Sequence, residues 1–375
     1  MPFVRLPASS SDFELYWRSN LPGDDLSATH RNGRETVLVL QPGRIPVDWL
    51  DSQFNDPALQ RYNLIAFDYP GYGQSTARSL HQKLPEIDDW VLAAIVGNFC
   101  LTQDLPSIHI FTSGAWSAHV AVRFAILFPA ICRSITACTV AQGLEEDPVY
   151  WKGLVDVIDS WALASTPDEI DTVIENEFFM FFGPTPLRDE ERERYASYWK
   201  EAWRGAKLLN SMLLGPISIM RLPLSEEQAA RVRVPMLAIQ GDINPYITAS
   251  MAQKFLDQFP FIPGGGQVEV IPRGPYTMSI MAPFAPRVNR LLIQNIERAI
   301  MMSPTLGPLQ VDEDDCLLHP ERVPRPFAIG MNGAMNILIT VATPDRQQML
   351  QSRDPEDVMS YSQRTPEMIS EINRR

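Results

Sequence analysis

Ser113 and Ser117 flank a run of small residues, Ser113-Gly114-Ala115-Trp116-Ser117-Ala118. The run lies between an apolar stretch, Ile108-His109-Ile110-Phe111, and a helical pattern from His119 to Phe128 that Pro129 stops. A sharp turn from strand to helix presents a side chain at the strand's end, where the first N–H groups of the helix can hold developing negative charge. Such a turn suits attack on a carbonyl if a serine has a base beside it. The five histidines are His30, His81, His109, His119 and His319. His109 lies inside the strand and His119 opens the helix, where it caps or packs, so neither stands ready to activate a serine. No His/Asp/Glu cluster has metal-ligand spacing, and no phosphate-cradling glycine motif occurs, so neither a metal nor another cofactor is expected. The four cysteines are Cys100, Cys132, Cys138 and Cys316, with no Cys-x-x-Cys pair. Cys132 and Cys138 stand in apolar surroundings and read as buried thiols in a reducing compartment.

The 375 residues are 45% hydrophobic and 21% charged, an ordinary globular composition that excludes fibrous and largely disordered classes. The net charge of −13 repels phosphate backbones and anionic lipid, which argues against nucleic-acid and membrane partners. The N-terminal segment has no apolar core of the signal-peptide kind, and no window is long and apolar enough to span a bilayer. A cytoplasmic location is the expectation.

The chemistry-bearing turn needs a framework. Runs at 35–40, 63–68, 108–111 and 134–141 read as buried strands, and a helix is expected over 86–101. Continuously apolar strands alternating with helices indicate a parallel sheet covered on both faces. From about Gln142 to Glu227 the chain turns helical and aromatic, and then strand-like runs return at 235–240 and 267–271. A helix over 286–301 closes this part. The expected organisation is a core first half (1–141), a helical cap (142–227), a core second half (228–301) and a C-terminal extension (302–375).

Over roughly residues 30 to 300 the sequence resembles the α/β-hydrolase superfamily. Four segments carry the likeness in order: Leu40-Gln41-Pro42-Gly43; Asp68-Tyr69-Pro70-Gly71-Tyr72-Gly73-Gln74-Ser75; Ile110 through Pro129; and Val234 through Pro245 with Ile271 through Pro283. The wording is most similar to that of fungal members. The resemblance implies an α/β-hydrolase fold, a mostly parallel sheet flanked by helices with an inserted cap. It also implies where a nucleophile, acid and base would stand. Those positions hold Ala115, Asn244 and Tyr276. Alanine cannot attack, tyrosine with a pKa of about 10 is a poor base at neutral pH, and asparagine cannot stabilise an imidazolium. A frame shifted by two would make Ser117 the nucleophile, but it would misplace the helix's small packing residues Ala121 and Ala125. A native serine replaced at 115 would explain Ala115 but not Asn244 and Tyr276.

By the same likeness, the backbone donors that hold an oxyanion are Trp116 N–H and an N–H of Gly43 or Arg44. Tyr276 is then the candidate proton donor and Asn244 its orienter. The candidate substrate-binding residues are Arg44, Ser113, Ser117, Tyr246, Trp151, Phe178 and Phe182, the last three from the cap. Glu145, Glu146 and Asp147 follow the fourth strand, either as an alternative acid or as a solvated helix start, and Arg123 reads as ordinary surface. The favoured expectation is a non-hydrolytic enzyme of cyclase, lyase or isomerase type, acting on an apolar small molecule of specialised metabolism. The alternatives are a ligand-binding protein without turnover, an esterase with a non-standard site, and a scaffold for partner contacts. The C-terminal extension offers a route to a homo-oligomer.

Overall fold

The structure is a computed structural model describing residues 3–6, 13–41, 44–77, 89–140, 160–161, 164, 166–202, 224–243 and 247–306. Nine strands form one sheet among these residues. They are β1 (Phe3–Leu6), β2 (Phe13–Ser19), β3 (Thr36–Leu40), β4 (Asn63–Phe67), β5 (Thr76–Ala77), β6 (Ile108–Thr112), β7 (Cys132–Cys138), β8 (Met236–Gly241) and β9 (Gln267–Ile271). Their order is β1-β2-β4-β3-β6-β7-β8-β9, with β5 on β2. Pairing is parallel from β4 through β9 and antiparallel at the β1, β2 and β5 end.

Successive residues of a strand face opposite sides of the sheet. Leu38, Leu40, Ile65, Phe67, Ile108 and Ile110 enter one core, and Val37, Val39, Leu64, Ala66 and Phe111 enter the other. The first core is closed by α1 (Asp89–Thr102), α2 (Ala115–Leu127) and α6 (Ala249–Asp257). The second is closed by α7 (Ala285–Leu306) and by the cap helices α3 (Pro167–Phe182) and α4 (Asp189–Ala202). A short helix, α5 (Glu226–Ala230), leads into β8. The sheet has helices on both faces, as the continuous apolar runs imply. The antiparallel strands β1, β2 and β5 were not foreseen, and α7 continues past Met301 to Leu306. Residues 307–375 lie outside the described residues.

The first cap helix, α3, begins on a sequence signal. Thr166 accepts from Glu169 N–H, and the Glu169 carboxylate accepts from Thr166 N–H, a reciprocal cap with Pro167 at the first helical position. Tyr195 and Trp199, one turn apart on α4, bury against α3. Among the described residues, no helix is long and apolar enough to cross a membrane. Nor do any three His, Cys, Asp or Glu side chains gather to hold a metal ion.

Candidate active site

Helix α2 starts at Ala115, directly beyond the end of β6 and the extended residue Gly114. The first four N–H groups of a helix have no acceptor within it. One of them is taken from far along the chain, because Ala115 N–H donates to the Tyr276 hydroxyl oxygen at 3.2 Å. Ala115 and Ile247 are fully buried, and the half-buried Tyr276 packs against both. The methyl of Ala115 and the phenol of Tyr276 thus meet beyond the carboxyl ends of β6 and β9, the edge where open α/β sheets place their ligands.

The loop that carries Tyr276 is fixed from three sides. Thr139, just past β7, donates from Oγ1 to the Tyr276 carbonyl at 2.7 Å. Thr139 itself is left-handed at φ 62, a costly conformation for a β-branched residue. Thr277 donates from N–H and Oγ1 to the Phe181 carbonyl at the end of α3, at 3.1 and 2.7 Å. The Phe181 and Tyr276 rings meet edge to face, with centroids 5.6 Å apart. On the third side, Arg273 N–H donates to the Asp242 carboxylate. Beside it, a Cβ on Gly241 would stand 1.9 Å from the Gly274 carbonyl oxygen. Gly241→Ala must therefore push the 272–276 backbone away from β8. The expected cost is about 1–3 kcal/mol, with displacement of Tyr276 from Ala115. Urea unfolding checks it, and an unchanged midpoint would contradict the close approach.

Arg44 follows β3 and is left-handed at φ 67. Its guanidinium is buried against the fully buried Glu177 of α3 at 2.5 Å. Glu177 Oε1 also accepts from Trp161 Nε1 at 2.9 Å, and the Arg44 carbonyl accepts from Trp199 Nε1 of α4 at 3.3 Å. Burial pushes the Glu177 carboxyl up, against the pull of Arg44 and of its two hydrogen bonds. Asp68, also fully buried, accepts from the N–H groups of Val47 and Gln74, each at 2.8 Å. Burial raises its carboxyl to about 7. It braces the turn 68–75 and the chain at Val47 from inside.

Several residues assigned from sequence sit elsewhere than at an open site. Phe178 and Phe182 are core, packed on Trp199 and Tyr195 between the cap helices, and Phe181 is the aromatic that reaches Tyr276. Ser113 is buried against the Ser279 hydroxyl, and Ser117 donates to the Gln41 carbonyl, so both hydroxyls are committed within the protein. The Arg44 side chain is likewise committed to Glu177. Trp116 is buried, with Nε1 donating to Asp89 at 3.0 Å. Arg123 is not surface: it is fully buried, 3.7 Å from the Asp89 carboxylate and over the Trp90 ring, because α1 covers α2 there. His119 packs edge-on against Phe255, and His109 lies in the sheet between Ser134 and Glu35. Burial lowers the His109 imidazole, while the nearby His109 and the hydrogen bond from Arg133 hold the Glu35 carboxyl down at about 2. Gly43, Asn244, Tyr246, Trp151 and the acidic run Glu145–Asp147 lie outside the described residues.

Glu177 and Thr139 were not singled out in the sequence, and Phe181 and Trp199 stood out only as members of the aromatic stretch of the cap. One signal was present: Val173, Ile174, Glu177, Phe178, Phe181 and Phe182 share the buried face of α3, and a lone carboxylate in such a stripe calls for a partner.

A family model described as the alpha/beta hydrolase fold matches residues 36–274. No curated protein matches the chain. Among solved structures, a thermophilic esterase from Thermogutta terrifontis with malate bound superposes with a TM-score of 0.59 at 14% identity, covering 80% of this chain and 99% of that one. A carboxylesterase of the ammonia-oxidizing thaumarchaeon Nitrososphaera gargenis gives 0.60 at 11% identity, over 80% and 99%. A hydrolase from Oleispira antarctica gives 0.56 at 14% identity, over 71% and 92%. At such identities the likeness is one of fold. With the family match spanning well over half of the sequence and the sheet order and strand–turn–helix in place, the chain belongs to the alpha/beta hydrolase fold family.

Proposed function

We propose that the protein is a non-hydrolytic enzyme of cyclase, lyase or isomerase type acting on an apolar small molecule of specialised metabolism. One observation supports the reading: Ala115 and Tyr276, which the family resemblance puts at the nucleophile and base positions, pack together, and Ala115 N–H donates to the Tyr276 hydroxyl. With Asn244 at the acid position, no group of the hydrolytic set keeps its chemistry. The site retains backbone donors at the start of α2, a phenol, and the apolar surroundings of Ile247 and Phe181. A hydroxyl that accepts a hydrogen bond is a stronger donor through its own hydrogen. Tyr276 can hand that hydrogen to a substrate oxygen while Trp116 N–H shares the charge that develops there. Orientation in a largely dry site supplies the rest.

Esterase activity, named for two of the solved relatives, is the competing reading, and the methyl of Ala115 opposes it. Short-chain p-nitrophenyl esters should be hydrolysed no faster than by a control protein, and a fluorophosphonate probe should leave the chain unlabelled. The positive arm incubates the protein with an extract of its producing organism. Mass spectrometry should show a consumed compound and one or more new ones whose masses add up to its own, with no water gained. Products whose masses together exceed that of the substrate by one water, or stoichiometric labelling of Ser113 or Ser117, would overturn the proposal. Retention of a compound without conversion would favour a binding protein.

A further inference from the structure

We propose that Thr139 is a positioning residue whose left-handed turn at the end of β7 sets the Tyr276 phenol against Ala115. The inference rests on the non-hydrolytic reading above, in which that phenol donates a proton to the substrate. Thr139 is fully buried, branched at Cβ and held at φ 62. A residue with two heavy atoms on Cβ stays in that region only if its surroundings over-determine it, whereas glycine would take the turn at no steric cost. Two bonds hold Thr139 there. Its N–H donates to the Ile239 carbonyl of β8, and its Oγ1 donates to the Tyr276 carbonyl, each at 2.7 Å.

The same turn serves the other neighbour of Ala115. It brings Val140 N–H onto Gln240 Oε1 at 3.1 Å, and Gln240 Nε2 donates to the Ile247 carbonyl at 2.8 Å. Tyr276 and Ile247, which both pack on Ala115, are thus both tied to the residues that end β7. β7 pairs with β6, beyond whose end Ala115 stands, so these ties measure the site from one edge of the sheet. Thr277 and the Phe181 ring hold the Tyr276 loop from the cap, and Asp242 holds its start. The Thr139 bond joins Tyr276 itself to the sheet. Branching at Cβ restricts χ1 and so aims the hydroxyl. What the strained turn supplies is the direction in which that hydroxyl points.

The test reads the amide proton of Ala115 by nuclear magnetic resonance, in the full chain with its alanine nitrogens labelled. Ala115→Gly identifies the signal, and Tyr276→Phe gives its position with the bond to the phenol removed. Thr139→Val keeps the shape and removes the hydroxyl. Thr139→Gly removes it too and takes the turn without strain, so it keeps the fold. Both should move the Ala115 signal toward its Tyr276→Phe position, and Thr139→Ser should return it to that of the wild type. Turnover of the extract compound should fall about 10²-fold in Thr139→Val and Thr139→Gly, the cost of a misplaced reacting group, and stay near wild type in Thr139→Ser. An Ala115 signal unmoved in both variants would overturn the proposal. So would a shift that Thr139→Ser does not reverse, the mark of packing rather than of the hydroxyl. If the wild-type protein forms no product, the proposed function fails, and the Ala115 signal still decides the role of Thr139.

Discussion

Tyr276→Phe should lower turnover by about 10²–10⁴-fold, the usual contribution of a positioned proton donor. The variant keeps the ring, its edge contact with Phe181 and its packing on Ala115 and Ile247, and it removes only the hydroxyl. The lost hydroxyl also leaves Ala115 N–H without its acceptor, worth about 1 kcal/mol of stability. The rate loss and the stability loss are therefore of different size and can be separated. A phenol carries its own proton to donate, so donation needs no companion base. The measurement is conversion of the extract compound by both proteins side by side. Equal rates would mean that orientation and apolar enclosure carry the reaction alone. Ala115→Ser should not produce hydrolysis, because His109 and His119 are buried in other contacts and the group that meets Ala115 is the phenol of Tyr276.

Trp199→Ala should cost about 3–5 kcal/mol, the range for removing a large buried aromatic. Trp199 is fully buried, and its ring meets Trp49 from the core and Phe178, Phe181, Phe182 and Tyr195 from the cap. Truncation opens a cavity at the seam of cap and core and also removes the donor to the Arg44 carbonyl. Rigid helices on both sides limit collapse into that cavity, which places the cost in the upper part of the range. Urea unfolding followed by far-ultraviolet circular dichroism measures it. A change below about 1 kcal/mol, the level of an ordinary surface substitution, would mean that the cap does not rely on this cluster.

The sheet was legible where both its faces are buried. β3, β4, β6 and β8 are mostly apolar runs with every residue buried, and such runs announce themselves. β2 carries Glu14 and Arg18 among its apolar residues, and Arg18 pairs with Asp51, so its alternation blurs into a loop pattern. At the site, the strand–turn–helix frame singles out Ala115 and the family frame singles out Tyr276, and the structure brings the two into contact. What did not transmit was rotation. Four of the five residues Phe178–Phe182 are aromatic, and only the phase of α3 about its own axis turns Phe181 toward Tyr276, Phe178 and Phe182 into the core, and Phe179 to solvent. The bond between Arg44 and Glu177 spans 133 residues and leaves no local pattern in either segment. Arg123 looked like surface because its helix has no polar face; every residue of α2 is buried, charge included.

The account stands or falls on whether water enters the product. The reaction should be run in water enriched in heavy oxygen and the product weighed. The proposed reading, with Ala115 in the nucleophile position and Tyr276 in the base position, predicts a product that carries no solvent oxygen. Incorporation of one labelled oxygen into a product carboxyl, at the rate of turnover, would show hydrolysis and contradict the central claim.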